Sequence, residues 1–311
     1  MKEQTICPFC KSSLKTKLIV DFYFCKECEV AVRNEINMPL SWKNIFDKNW
    51  VKTQDNEKVN IRKAFYVLKQ VKRLGIRNKI LDVGCGTGIL VDILNRNGYI
   101  TNGVDSSSDA IEFAKLHKKG NFYLSSLESF SNDNKYALVI ATQLIEHLAN
   151  PNVFLESAKK LLKPGGYLYI ETPNLYSWNK RSIWRKRIGG MYGKDHRILY
   201  TSKSLARLIK DSNFDIYKLF TWTYSPTIFV EGIKTLFSIF RKKTKIQNEL
   251  VVINQTSNKP KSVLKNIYRQ FKSSFIINTL LFIPNKISEF NNRGNQLIVI
   301  AEFSTQQSKT D

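Results

Sequence analysis

Two pairs of cysteines stand near the amino terminus, Cys7-Pro8-Phe9-Cys10 and Cys25-Lys26-Glu27-Cys28, with fourteen residues between them. Four thiolates at that spacing can close around one tetrahedral Zn²⁺, and a structural site uses all four ligands. A redox-active pair would be expected beside a βαβ unit. These pairs precede one, in a short segment with little core of its own, so residues 1–35 are expected to form a zinc-ribbon-like structure. The fifth cysteine, Cys85, stands apart and is expected to fill space and not to ligate.

A second stretch with chemistry in it is Leu81-Asp82-Val83-Gly84-Cys85-Gly86-Thr87-Gly88. An apolar run leads straight into three glycines at alternate positions and then into an amphipathic segment. Glycine is needed where the backbone turns sharply and a ligand must approach without a Cβ in the way. The helix that follows offers unpaired N–H groups to that ligand. The spacing is G-x-G-x-G and not the G-x-G-x-x-G of a pyrophosphate-gripping loop. Asp82, two residues before the first glycine, can pair with an ammonium. Further on, Gly103-Val104-Asp105 places a carboxylate at the tip of the next strand, where it can accept both hydroxyls of a ribose. An ammonium-binding acid, a glycine loop and a ribose-binding acid together describe an adenosyl group joined to an amino acid.

On these residues the sequence resembles the class I S-adenosylmethionine-dependent methyltransferases, over about residues 60–222 and 295–303. The resemblance implies that Asp82, Gly84, Gly86 and Gly88 hold the methionine part, and that Asp105, with Ser106 beside it, holds the ribose. The adenine position matches Tyr123 to Glu128, where Ser126 replaces a common Asp and Leu127 is its successor. Ala137 also stands where Asp is frequent. The stretches Ala141 to Pro151 and Leu162 to Asn174 are similar to the ubiquinone-type O-methyltransferase branch and its relatives acting on sugars and polysaccharide precursors. In some of that branch two Glu and a His hold a divalent cation. Gln143 takes the first of those positions, which counts against Mg²⁺ and leaves Gln143 among the cofactor-facing residues.

The Glu146-His147 pair, expected at a helix start near the carboxyl edge of the sheet, is either an active-site pair or a histidine bonded to backbone or to Glu146. Gly193-Lys194-Asp195-His196-Arg197 forms a second polar cluster; His196 is a candidate general base, the alternative being a structural loop histidine. Methyl transfer from a sulfonium is an in-line displacement in which positioning does much of the work, so a base is required only for a hydroxyl acceptor.

These residues need a scaffold. Strands are expected at Ile80 to Val83, Ile100 to Val104, Ala137 to Ala141, Tyr167 to Glu171, Phe214 to Trp222 and Gln296 to Phe303. Helices are expected at Ile89 to Asn97, Ser108 to His117, Pro151 to Leu162 and after Thr201, with Pro164-Gly165-Gly166 as a turn into the fifth strand. Upstream, Trp42 to Leu74 reads as helical, with Val59, Ala64, Phe65, Leu68, Val71 and Leu74 on one face. Strands spaced by helices mean an α/β fold: a doubly wound, mostly parallel Rossmann-like sheet. The expected divisions are a cysteine segment at 1–35, a helical linker at 36–75, a core at 76–222 with 291–305, and a helical insertion at 223–290.

The chain has 311 residues and is 42% hydrophobic, which excludes a disordered tail or a disulfide-stapled miniprotein. Five cysteines and an amino terminus without an apolar stretch point to a reducing cytoplasm. The apolar run Phe275 to Ile283 is short of the roughly 18 residues that span a bilayer. The 49 Lys and Arg against 26 Asp and Glu give a net charge of +23 and imply an acidic partner or a generic solvated surface. Thr223 to Phe290 carries eleven basic and three acidic residues, a net +8, beside long apolar runs. That combination suits an interfacial helix on an anionic membrane, or equally a lid over the acceptor, and both are consistent with a lipid-linked saccharide or other small-molecule acceptor. An RNA methyltransferase is the competing expectation from the cysteine segment and the charge. Nucleic acid is the weaker partner, because aromatic and basic residues do not interleave as in an RNA-binding module.

Overall fold

The computed structural model describes residues 5–19, 21–34, 48–55, 58–131, 135–177, 195–223 and 294–304. The amino-terminal part holds β1 (Lys17–Ile19), β2 (Phe22–Cys25) and β3 (Val30–Arg33), then α1 (Lys48–Asp55) and α2 (Lys58–Arg73). The first half of the core follows as β4 (Ile80–Val83), α3 (Ile89–Arg96), β5 (Thr101–Asp105), α4 (Ser108–His117) and β6 (Asn121–Leu124). The second half comprises β7 (Tyr136–Thr142), a 3-10 turn (Ile145–His147), α5 (Pro151–Leu161) and β8 (Leu162–Pro173). It ends with β9 (Ile198–Leu199), α6 (Ser202–Asp211), β10 (Asp215–Trp222) and β11 (Gln296–Phe303).

Seven strands form the main sheet in the order β10-β11-β8-β7-β4-β5-β6. β6, β5, β4, β7 and β8 run parallel, while β11 runs antiparallel to both β8 and β10. The central strands are buried on both sides and alternate between two cores. Ile80, Leu138, Tyr169 and Ile298 face Leu68 and Val71 of α2 and Leu90 and Leu94 of α3. Leu81, Val139, Ile170 and Val299 face Phe154 and Leu155 of α5 and Leu205 and Ile209 of α6. Cys7, Cys25, Cys28, Val30 and Val32 belong to that second core, so the cysteine segment shares apolar packing with the main sheet.

The cysteine segment also pairs with the rest of the chain through its backbone. A second sheet runs β1-β2-β3-β9, all antiparallel, with Ala31 opposite Leu199 and Val32 opposite Ile198.

Several expectations need correction. Phe65 does not share the buried face of α2: it is 53% exposed, and Val67 takes its place beside Ala64, Leu68 and Val71. Spacings of three and four keep residues 64, 67, 68 and 71 on one stripe, and residue 65 falls about 100° round from residue 64. β6 went unseen because only Phe122 of its four residues is buried, which leaves an edge strand without an apolar run. Strand β8 begins at Leu162, before the expected Pro164-Gly165-Gly166 turn, which persists as a register shift against β7 and a left-handed Gly165 at φ 71°. Glu146 and His147 lie on the 3-10 turn and not at a helix start, since α5 begins only at Pro151 behind the Asn150 cap. Residues 35–47 and 224–293, which carry the start of the expected linker and almost all of the insertion, lie outside the described residues. Among the described residues no helix is long and apolar enough to cross a membrane.

Gly103 on β5 shows how tightly the core is filled around the loop after β4. A Cβ there would stand 2.8 Å from Cys85 Sγ and 3.0 Å from Phe122, so Cys85 is a packing residue, as expected. Gly103→Ala is expected to cost about 1–3 kcal/mol from overpacking. A second change, Cys85→Ala, should return part of that loss; chemical denaturation of the single and double variants measures the coupling.

Candidate functional site

Strand order reverses at β4: β5 and β6 continue to one side, β7 and β8 to the other. Helices then leave from opposite faces of the sheet, opening a crevice beyond the carboxyl ends of the strands. Gly84, Gly86 and Gly88 all occupy the left-handed region there, at φ 68°, 51° and 77°. A Cβ would meet Leu144 at 3.1 Å from Gly84, Trp50 at 3.3 Å from Gly86, and Phe122 at 2.7 Å from Gly88. The loop is tied to β5: the Gly84 and Cys85 N–H groups donate to Val104 O, and the Gly86 N–H donates to Asp105 Oδ2 at 2.8 Å. The other Asp105 oxygen accepts from the Ser107 N–H at 2.8 Å. Burial raises the Asp105 pKa, and its backbone donors oppose that shift.

Asp82 is buried, and its Oδ1 finds no hydrogen-bond partner. Burial, then the nearby Asp105, pushes its pKa well above the usual carboxylate range. A carboxylate in that position is costly unless a cation or donor reaches it. The loop opens on a cavity of about 800 Å³. Asp82, Gly84, Gly86, Asp105, Ser106, Ser126, Leu127 and Gln143 all line it. The donor set fits S-adenosylmethionine: a buried acid lacking a partner suits the α-ammonium, and Gly84 and Gly86 leave room for the chain, whereas a Cβ at Gly88 would meet Phe122 and Ala114 and not the cavity.

The predicted residues do not all behave alike. Leu127 is buried, whereas Ser126 is exposed and its Oγ accepts the Ser129 N–H, capping a turn. Gln143 sits at φ 53°, and its amide donates to Gln296 Oε1 at 2.7 Å. Trp50, on α1, lines the cavity without any sequence signal having pointed to it.

His147, Asp195 and His196 line the same cavity, and Glu146 lies behind them. His147 Nδ1 lies 3.1 Å from the Asp195 carbonyl and 3.5 Å from Asp195 Oδ2. Its Nε2 is 4.0 Å from Glu146 Oε1. The His196 ring packs edge-on against His147 with centroids 4.8 Å apart. Glu146 is fully buried; Oε2 accepts from Thr172 at 2.9 Å, and Oε1 has no hydrogen-bond partner. His147 is 16% exposed at its side chain, while His196 is 6% exposed. Donor atoms of Glu146, His147 and His196 lie within 4.8 Å of one another. Asp195 was visible only as a member of a polar run; its pairing with His147, 48 residues away, is a tertiary fact. Gly193 and Lys194 of that run lie outside the described residues.

The Sγ atoms of Cys7, Cys10, Cys25 and Cys28 also lie within 4.8 Å of one another. The second pair forms the turn between β2 and β3, and the Cys28 N–H points at Cys25 Sγ at 3.4 Å. Each pair is followed by a left-handed residue, Lys11 at φ 60° and Glu29 at φ 52°, which closes the two knuckles alike. Burial raises the Cys7 thiol to about 11, while a hydrogen bond with Ser12 lowers Cys10 to about 7. Four sulfurs at this separation fit a tetrahedral Zn²⁺.

The family described as "Methyltransferase domain" matches residues 56–219. The ubiquinone biosynthesis O-methyltransferase of Vibrio atlanticus is 32% identical over 123 residues, 37% of this chain and 52% of that protein. Its counterpart in Thiobacillus denitrificans is 28% identical over 163 residues, covering 48% and 69% of the two chains. The chain spans about half the length of the first of these curated relatives. Among solved structures, a chain of the complex between the Haloferax volcanii Trm112 methyltransferase activator and a methyltransferase aligns with a TM-score of 0.55. It is 13% identical over 86% of this chain and 99% of that one. Phosphoethanolamine N-methyltransferase 2 of Haemonchus contortus aligns at 0.52, with 15% identity over 86% and 61%. Both likenesses are of fold.

Two measurements test the buried acids. Asp82→Asn is expected to weaken S-adenosylhomocysteine binding by about 10–100-fold, the worth of one charge-assisted bond, without lowering the thermal midpoint of the free protein. Calorimetry and melting curves read the two effects separately. Glu171 on β8 is fully buried, and burial raises its pKa from 4.5 to about 7, with Lys63 opposing. The folded state then holds a proton that the unfolded state releases, so stability falls as pH rises from about 4.5 through 7. Glu171→Gln should flatten that dependence, recovering about 3 kcal/mol at pH 8 relative to pH 5 in denaturation titrations.

Proposed function

The chain belongs to the class I S-adenosylmethionine-dependent methyltransferase family, and on that premise we propose that it moves a methyl group to an oxygen of a small-molecule, sugar or lipid-linked acceptor. The observation that carries this is the sharing of one cavity by the glycine loop with Asp82 and by the His147–Asp195 pair. S-adenosylmethionine, when bound, supplies a methyl on a sulfonium that leaves by in-line displacement. Asp82 would hold the ammonium, the glycine loop the methionine chain, and Asp105 the ribose, since a carboxylate can accept further bonds beside those from the Gly86 and Ser107 N–H groups.

His147 is the assigned proton acceptor. The Asp195 carbonyl at 3.1 Å holds Nδ1 as the donor, which leaves Nε2 as the basic atom. A proton taken there from a hydroxyl acceptor makes an imidazolium, which the Glu146 carboxylate 4.0 Å away stabilises. His196, more deeply buried, packs the ring in place. Cys7, Cys10, Cys25 and Cys28 hold a structural Zn²⁺. The composition of segment 223–290, basic residues beside apolar runs, supports peripheral contact with an anionic membrane at the cytoplasmic face or, equally, a cover over the acceptor. The divisions at 1–35, 36–75, 76–222 with 291–305, and 223–290 remain the proposed organisation.

The acceptor class is read by incubating the protein and tritiated S-adenosylmethionine with fractionated cell extract. Label is expected in the lipid or saccharide fraction; label confined to RNA would overturn the assignment. With that fraction as acceptor, His147→Gln should lower turnover by about 10²–10⁴-fold while S-adenosylhomocysteine affinity stays within about twofold. Near-normal turnover would remove His147 as the base.

A further inference from the structure

A buried arginine is among the residues that join the cysteine module to the active-site wall. Arg33 ends β3, the strand that begins just after the second cysteine knuckle. Its backbone N–H donates to the Arg197 carbonyl at 2.8 Å, and its side-chain Nε donates to the His196 carbonyl at 2.8 Å, across 163 positions of sequence. The guanidinium is 7% exposed, lies 4.5 Å over the Phe22 ring and is 3.6 Å from Asp21. Both Asp21 and Asp195 draw on its charge. A planar guanidinium held by a ring and a carboxylate is well placed to fix the His196 carbonyl, while the backbone N–H of the same residue holds the next one.

What Arg33 fixes is the segment that carries the acid-base pair. The carbonyls it holds belong to His196 and Arg197, directly after Asp195, and the Arg197 N–H donates to the Glu146 carbonyl at 2.7 Å. β9, only two residues long, pairs with β3. Phe9 of the first knuckle meets Tyr200 edge-on at 6.4 Å. A strand of two residues cannot hold its own place, so the geometry of 195–200 leans on its neighbours: the β2–β3 hairpin on one side, and Glu146 and Leu175 on the other, through the Arg197 N–H and the Tyr200 carbonyl. That hairpin turns through Cys25 and Cys28, two of the four clustered thiols.

We propose that zinc at Cys7, Cys10, Cys25 and Cys28 sets the position of the Asp195–His147 pair through Arg33, making the amino-terminal module a positioning device for the active site. The idea rests on the zinc assignment and the reading of 195–197 as active-site wall. It does not depend on His147 being the base, because its test reads ring environment and not turnover.

The chain has three histidines, and His117 on α4 is remote from the module, so it serves as an internal control. The full-length protein is labelled with ¹³C at histidine Cε1 and followed by NMR, with zinc measured by mass spectrometry. One zinc per chain is expected. Its chelation should move the His147 and His196 resonances, leave that of His117 in place, and change S-adenosylhomocysteine affinity less than about twofold; zinc addition should reverse the shifts. Arg33→Ala should move the same two resonances with zinc still bound, and Arg33→Lys, which keeps the charge but loses the fork, should move them less. Sub-stoichiometric zinc, or unmoved His147 and His196 in zinc-loaded Arg33→Ala, would overturn the proposal. Loss of cofactor affinity together with movement of all three resonances would overturn it too, since Arg33 would then only hold the fold together.

Discussion

A parallel sheet that reverses its winding has one line along its carboxyl edge that its own helices cannot cover, and this protein is arranged around that line. Because β5 lies on one side of β4 and β7 on the other, α3 and the turn after β7 leave from opposite faces of the sheet. The gap exposes the tips of β4, β5 and β7 together. Asp82, Asp105 and Gln143, from those three strand ends, therefore face one cavity. The antiparallel β11 lies beside β8 and brings Gln296 within 2.7 Å of Gln143, which fixes the Gln143 amide.

Charge is handled differently at the two ends of the cavity. At the cofactor end, Asp82 and Asp105 sit close enough to raise each other's cost, and the buried Asp82 oxygen has no partner among the described residues. A cationic ligand that reaches the acid recovers stability given up in that way, which favours the bound over the free state. At the other end Glu146 is also buried with one oxygen lacking a hydrogen bond, but donor atoms of His147 and His196 lie within 4.8 Å of its carboxylate.

Much of the scaffold was legible in the sequence. Ile80 to Val83, Ser108 to His117 and Gln296 to Phe303 coincide with β4, α4 and β11, because buried strands are short apolar runs and Ser107 caps the helix by accepting from Ala110 N–H. The thiol cluster was legible for the same reason: two knuckles at fixed spacing can close in few ways. β6 escaped notice because a four-residue edge strand with one buried side chain has no periodicity to detect. Phe65 was misplaced because a tally of apolar residues does not record which side of the helix meets the sheet.

The sequence by itself determined the glycine loop, the acids at the strand tips and the cysteine knuckles. Each of those needs is local: a left-handed φ, an open approach, a carboxylate a fixed number of residues from a turn. Tertiary structure alone decided which groups confront one another. His147 meets Asp195 across 48 residues, Gln143 meets Gln296 across 153, and Arg33 meets the His196 carbonyl across 163. Those meetings follow from which strands become neighbours and how a two-residue β9 is captured by β3. Strand order is a property of the packed sheet, set by the burial of both its faces at once, and no local spacing encodes it.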